Sequence, residues 1–113
     1  MSTVDEINAA LHGLTFIRRI EFSTDFLDGC CSIVLELIDD HSRPNEQVVV
    51  EVSGVADWRL EGLGGGMNQL TCLQLADVRH LQHDRINFAL LDLDHERFSL
   101  RCRTVTAKRT RLR

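Results

Sequence analysis

The sequence contains no long hydrophobic run and no recognisable export signal. No apolar stretch in its 113 residues approaches the ~20 residues that a membrane-spanning helix requires. Asp5 and Glu6 stand where a signal peptide would carry positive charge followed by an apolar stretch. We therefore expect a cytoplasmic protein without membrane contact. In that compartment buried thiols, and not a disulfide framework, are expected for the four cysteines, Cys30, Cys31, Cys72 and Cys102.

Motifs for phosphate binding, hydrolysis and zinc binding are also missing. The glycine cluster at 62–66 is followed by Met67 and Asn68 instead of Lys and Ser or Thr, which favours a plain loop. No serine lies in a Gly-x-Ser-x-Gly context, and no Cys-x-x-Cys pair is present. His80 and His83 could share a metal only on a helix, so exposed loop histidines are the simpler interpretation. The sequence predicts no catalytic residue, no metal site and no cofactor.

Positive charge is scarce outside the C-terminus. Residues 1–107 carry nine Lys and Arg against seventeen Asp and Glu, a net charge of −8, whereas the whole chain has −4. Such an acidic body disfavours nucleic acid and favours a basic partner. The basic tail at 107–113 has no aromatic residue for base stacking, and we expect it to be frayed.

Composition indicates one ordinary globular domain. Hydrophobic residues make up 43% and charged residues 27% of the chain, and neither a linker nor an internal repeat interrupts it. We expect a single domain over 1–113, with a helix and turn at 1–13, a β core at 14–106 and the basic tail at 107–113. The helix is predicted from an approximate capping box and the apolar stripe of Val4, Ile7 and Leu11.

After the helix, apolar residues recur at every second position, which is typical of strands. The first strand is predicted to place Leu14, Phe16, Ile20 and Phe22 on one face, with Arg18 as the exception. A central strand follows in which Cys31, Ile33, Leu35 and Leu37 share a face, and the segment 39–45 with Pro44 is a turn. About seven antiparallel strands are expected, forming a mainly β sandwich or a curled, barrel-like sheet.

The second half of the chain predicts two hairpins. Segment 48–52 is expected to form the first with segment 55–61, in which Trp58 shares the parity of Ala56 and Leu60 and is assigned to the core. The second joins 86–93 to the strand that begins at Phe98. A bulge near Leu90 would explain why the apolar parity changes within the strand before the turn.

Carboxylates gather beside two predicted turns. Paired carboxylates catalyse acid and base chemistry only where burial or a neighbour separates their pKa values, and turn residues are solvated. Solvated charges are therefore the simpler interpretation, and an acidic edge that faces a basic partner is the alternative. The candidate partner-binding residues are Asp39, Asp40, Asp92, Asp94 and Glu96.

Three segments give the chain a resemblance to a known class of proteins. They are LTFIRRIEF, then VVVEVSGVADWRLEG with the glycines after it, and FSLRC. In this succession the chain resembles the small β-rich immunity proteins of bacterial polymorphic toxin systems and related bacterial domains. The resemblance implies tight binding to a toxin without chemistry, and it assigns no residue a role.

The resulting hypotheses belong to different classes. The first is a non-enzymatic protein-binding domain, an immunity-type inhibitor whose acidic surface covers a basic toxin. The alternative is a small-molecule or carbohydrate-binding β module that uses a cavity between the sheets or the loop at 62–66. An enzyme would need His80 or His83 to meet a carboxylate or thiol in a cleft. Self-association through a strand edge is also open.

Overall fold

The computed structural model describes residues 4–24, 30–61, 69–79, 86–93 and 97–112. These residues form one helix and eight strands in two antiparallel sheets that do not close into a barrel, so the predicted mainly β fold is confirmed as a sandwich. The elements are α1 (Val4–Leu11), β1 (Phe16–Thr24), β2 (Cys31–Ile38), β3 (Glu46–Ser53), β4 (Ala56–Leu60), β5 (Leu73–Asp77), β6 (Phe88–Asp92), β7 (Phe98–Cys102) and β8 (Thr104–Arg111).

The two sheets enclose a single apolar core. Sheet A has the strand order β1-β2-β3-β8, and sheet B has the order β4-β7-β6-β5. The predicted central strand is confirmed, because β2 lies between β1 and β3. Alternate residues of the inner strands are removed from solvent, as the 2.0-residue period requires. Fully buried members are Ile33, Leu35, Leu37, Val48, Val50, Val52, Leu90, Leu100 and Cys102.

Two long strands bend from one sheet into the other. Ser53 is opposite Thr104 in sheet A, and Ala56 is opposite Arg101 in sheet B, so the same two strands stay neighbours across the bend. The bend falls at Gly54 on one strand and at Arg103 on the other. Strands that change sheet in this way form the corner of a sandwich. The predicted hairpin between segments 48–52 and 55–61 is therefore wrong, because β3 and β4 belong to different sheets.

A β-bulge changes the predicted faces of β1. Ile17 is opposite Leu37 while Arg19 is opposite Glu36, which leaves Arg18 as an extra residue. Because of that residue Phe16 lies on the outer face, opposite Ile38, and not on the core face. The core-facing positions are Ile17, Ile20 and Phe22.

The late strands differ from expectation in two places. The β6–β7 hairpin is confirmed by the pairing of Leu91 with Ser99, but the pairing of β6 with β5 and β7 shows no register shift near Leu90. The prediction of a frayed tail is also wrong for residues 107–111. These residues belong to β8 and pair in register with β3, which supplies the hydrogen bonds that an isolated basic tail would lack.

The helix closes one side of the sandwich. It packs against β5 and β8, with Ile7 and Leu11 buried, which confirms the predicted apolar stripe. The Asn8 side-chain amide donates to the Leu75 carbonyl (3.0 Å), and its oxygen accepts the Leu75 N–H (2.8 Å). At the other end of α1, Arg109 donates to the carbonyl of His12 (2.9 Å). Among the described residues, no helix has the length and apolarity to span a bilayer.

Candidate functional site

Two of the candidate partner-binding residues shape the turn between β2 and β3. Asp39 accepts hydrogen bonds from the backbone N–H groups of Asn45 (3.0 Å) and Glu46 (3.2 Å). These bonds, the one from Asn45 first, hold the pKa of Asp39 below its ordinary value. Ser42 donates its hydroxyl (2.8 Å) and its N–H (3.0 Å) to Asp40, which lowers the pKa of that carboxyl too. Both aspartates therefore stay ionised at neutral pH while they hold the turn.

Asp92 does not lie on an exposed acidic edge. Asp92 belongs to β6 and lies opposite Leu73 of β5. Its side chain is on the core-facing side of β6, as is that of Leu90, so only 2% of Asp92 is exposed. The expectation of a solvated turn charge is wrong for this residue, because β6 continues to Asp92 before the chain turns. Asp94 and Glu96 lie outside the described residues. Among the described candidates, the structure therefore does not place Asp92 on an exposed surface with Asp39 and Asp40.

Trp58 is not a core residue, contrary to the sequence interpretation. Between Ala56, opposite Arg101, and Arg59, opposite Ser99, β4 has one residue more than β7. The bulge contains Asp57, whose φ of +52° lies in the left-handed region. It occurs in an edge strand, and 45% of Trp58 stays exposed. The available sequence signal was the charged residues on either side of Trp58, which are typical of an edge strand.

The exposed tryptophan contacts a second exposed aromatic ring. Phe22 on β1 is 42% exposed, and its ring centroid lies 4.2 Å from that of Trp58 with a 53° angle between the planes. This tilted contact is a favourable aromatic geometry. Since β1 is an edge of sheet A and β4 an edge of sheet B, the two rings join the sheets at these edges, whereas α1 packs on the other two edge strands, β5 and β8. We call Phe22 and Trp58 the aromatic seam.

Different residues cover the two sides of the sandwich, where edges of the two sheets come together. On one side, α1 places apolar residues into the core and hydrogen-bonds the edge of β5. On the other side, the described residues show two half-exposed rings at the junction of the sheets. Exposed apolar side chains that contact one another are more informative than single ones, because contiguous apolar surface marks interaction sites. The aromatic seam is therefore the best candidate functional site.

Charged residues surround the seam in balanced pairs. Arg59 lies 3.1 Å from Glu61, and Arg101 lies 3.7 Å from Asp57. All four side chains are largely exposed, so these ion pairs contribute little to stability. An apolar centre with a charged, solvated rim is the usual anatomy of a protein interface.

Two clefts among the described residues lie on the outer faces of the sheets. One of about 350 Å³ crosses sheet B beside Leu91, Ser99 and Arg101, and another of about 370 Å³ crosses sheet A beside Ser53 and Thr104. Neither of these two clefts is the ligand cavity expected between the sheets, and the loop at 62–66 lies outside the described residues.

Groups that could bind metal are dispersed in the described part of the chain. No cluster of three or more His, Cys, Asp and Glu side chains is positioned for a metal ion among those residues. His80 and His83 lie outside them. The four cysteines form no disulfide, and the expectation of burial holds for Cys102 but is wrong for Cys30, which is exposed. Burial raises the pKa of the Cys102 thiol to about 12.

Comparison of the chain with protein-family models, curated proteins and solved structures found no match.

Proposed function

We propose that this protein is a non-enzymatic protein-binding domain that acts as an immunity-type inhibitor of a bacterial toxin and docks its partner on the aromatic seam. The observation that carries the proposal is the contact between the half-exposed rings of Phe22 and Trp58 at the edges of the two sheets. Tryptophan and arginine dominate the binding energy of protein interfaces, and Arg59 directly follows Trp58.

The resemblance to immunity proteins supports the same site. Two of the three segments that carry it, LTFIRRIEF and VVVEVSGVADWRLEG, contain Phe22 and Trp58 respectively. The acidic charge supports a basic partner, because ionised Asp39 and Asp40 add to a field that accelerates encounter. In this proposal the seam sets the lifetime of the complex and the charge sets its rate of formation.

The proposal is tested with the product of the adjacent reading frame. Titration calorimetry between the two purified proteins should give a complex, and Trp58→Ala should weaken it by about 30-fold or more, as expected for a hot-spot residue. Leu112→Ala is the matched control, because Leu112 is also an exposed apolar residue (39%) but follows β8, away from the seam. It should leave the affinity unchanged.

Two results would contradict the proposal. One is the absence of any complex at micromolar concentration. The other is equal weakening by Trp58→Ala and Leu112→Ala, which would remove the seam from the interface. Thermal unfolding of each variant shows whether a lost interaction reflects a lost fold.

A small-molecule or carbohydrate-binding module is the second candidate. It would use the outer-face clefts of about 350 and 370 Å³, whose volumes fall at the small end of the usual range for ligand pockets. These clefts are lined by ordinary outward residues of the strands, whereas the seam presents large apolar side chains to solvent. We therefore place protein binding first.

A further inference from the structure

The four edge strands of the sandwich are protected to different degrees. The edge of β5 is hydrogen-bonded by the Asn8 amide at Leu75, and β8 packs against α1. The edge strand β4 is distorted by the bulge at Asp57. Covering elements and bulges are the usual devices that prevent edge strands from pairing with another chain. The bulge of β1 lies near the start of that strand, at Arg18, so residues 19–24 pair with β2 in unbroken register and keep a regular edge.

One edge of β1 does not face β2. Among the described residues, this edge has partners only at the beginning of the strand. There Phe16 bridges Gln69, and the carbonyl of Thr15 accepts the Leu70 N–H (2.8 Å). From residue 17 to residue 24, the described pairing of β1 is with β2 alone. An edge of this length that carries apolar side chains is a template for another strand.

We propose that two copies of the chain pair through their β1 strands, antiparallel, about a two-fold axis at Ile20. In this register Arg19 of each copy lies opposite Glu21 of the other, because a two-fold axis makes every contact occur twice. Both side chains are on the outer face of sheet A, where Arg19 already pairs with Glu21 and with Glu36 (3.0 Å). Opposite charges facing each other across strands are stabilising.

The core-facing side of β1 is self-complementary in the same register. Ile20 lies opposite Ile20 of the second copy. If the bulge residue Arg18 is passed over, as it is in the pairing with β2, Ile17 lies opposite Phe22 of the second copy. Apolar residues therefore meet apolar residues on one face while Arg19 and Glu21 meet on the other. A register shifted by one residue would lose both matches.

The dimer does not depend on the proposed function, since the charges of β1 carry the argument. Both surfaces include Phe22, so pairing of two copies and docking of a partner on the aromatic seam exclude each other. A partner that binds the seam should convert the dimer into a complex with one copy of this chain.

Sedimentation equilibrium of the full chain tests the dimer with charge reversals. The wild type should be a dimer that dissociates on dilution and with added salt. Glu21→Arg places Arg opposite Arg twice in each dimer, and Arg19→Glu places Glu opposite Glu twice. Each variant should weaken dimerisation by about tenfold or more. An equimolar mixture of the two should restore it, because each Arg then faces a Glu.

Glu51→Arg is the matched control for the reversals. It makes the same change of charge at an exposed position of the same sheet, but Glu51 lies on β3 and away from the edge. This variant should dimerise like the wild type. A monomeric wild type in the high micromolar range would overturn the proposal, as would a mixture of the two reversals that stays monomeric. Circular dichroism melts confirm that each variant is folded.

The same variants separate this inference from the proposed function. Arg19→Glu leaves Phe22 and Trp58 in place and makes the neighbouring surface more acidic, so it should bind the product of the adjacent reading frame at least as tightly as the wild type. A monomeric wild type that binds this partner through Trp58 would refute the dimer alone. A dimer without any such partner would refute the proposed function alone.

Discussion

At the scale of single residues, Gly54 has the most demanding position in the described chain. Its φ of +64° lies in the left-handed region, and a Cβ built on it would stand 2.6 Å from the Cβ of Arg103. That atom is fixed to the backbone and cannot move aside as the end of a flexible side chain can. The close approach of the two bent strands therefore requires glycine at the corner.

We predict that Gly54→Ala destabilises the protein more than Gly13→Ala. Gly13 also has a positive φ (+79°), but nothing lies within 4 Å of its Cβ position. The second variant should cost about 1 kcal/mol through backbone strain alone, and the first about 2 kcal/mol or more because a steric clash is added. Urea denaturation measures both free energies of unfolding. Equal losses would show that the corner relaxes without cost.

Thiol reactivity should follow burial in the native state. Because burial raises the pKa of Cys102 to about 12, its reactive thiolate is scarce at mildly alkaline pH. Exposed Cys30 should be alkylated by iodoacetamide in the folded protein, and Cys102 only after unfolding. Mass spectrometry of digested protein identifies the modified residue. Rapid alkylation of Cys102 under native conditions would contradict the packing of β7.

At the scale of elements, α1 stabilises the sandwich by packing on the edge strand β5 and hydrogen-bonding its backbone. Asn8→Ala would remove both hydrogen bonds to Leu75 and leave a strand edge beneath a packed helix. We expect a loss of about 1–2 kcal/mol and faster hydrogen exchange of the Leu75 amide. Ala9→Ser, at the neighbouring exposed position of α1, is the control and should change neither quantity strongly. Unchanged exchange at Leu75 in Asn8→Ala would contradict this role of the helix.

Arg109 shows how one side chain can join three elements. It lies on β8, pairs with Glu46 on β3 (2.7 Å) and donates to the carbonyl of His12 beyond the end of α1. A cation at the C-terminal end of a helix is favourable because unpaired carbonyls accumulate there. The basic residues that the sequence assigned to a frayed tail therefore include one that attaches the helix to sheet A.

At the scale of the whole molecule, stability should decline in acid. The pKa of Asp39 is lowered by the N–H groups of Asn45 and Glu46, and that of Glu46 mainly by its hydrogen bond from Arg109. A carboxyl with a lowered folded pKa stabilises the fold above its unfolded pKa, and that stability is lost as the pH falls through the folded value. For Asp39 the loss begins near the ordinary pKa of 3.8.

Asp39→Asn tests this pH dependence. The variant should be less stable than the wild type near neutral pH, since a neutral amide accepts the two backbone bonds more weakly. It should also lose less stability than the wild type between about pH 5 and about pH 2, because one titrating group is absent. Urea midpoints across that range give the comparison. Parallel curves for the two proteins would show that Asp39 does not contribute to the acid response.

The functional surface could be predicted only in part. The alternation of apolar residues indicates which segments are strands, but a single inserted residue breaks the alternation, so the residues on one side of it are assigned to the wrong face. That happened at Arg18, which moved Phe16 outward, and at Asp57, which accompanies the exposure of Trp58. Asp92 is a different case. The acidic residues that follow it in the sequence predicted a turn, but β6 extends to Asp92 and the residue is buried.

Local pattern by itself determined most of the strands, the central place of β2, the turn at 39–45 and the apolar stripe of α1, but not the last part of β8. These features depend on interactions between residues that are near one another in the chain. Which strands share a sheet, where the chain bends at Gly54 and Arg103, and which aromatic residues reach the surface were decided by tertiary structure. Those features depend on contacts between distant segments, such as Phe22 with Trp58, which no local period encodes.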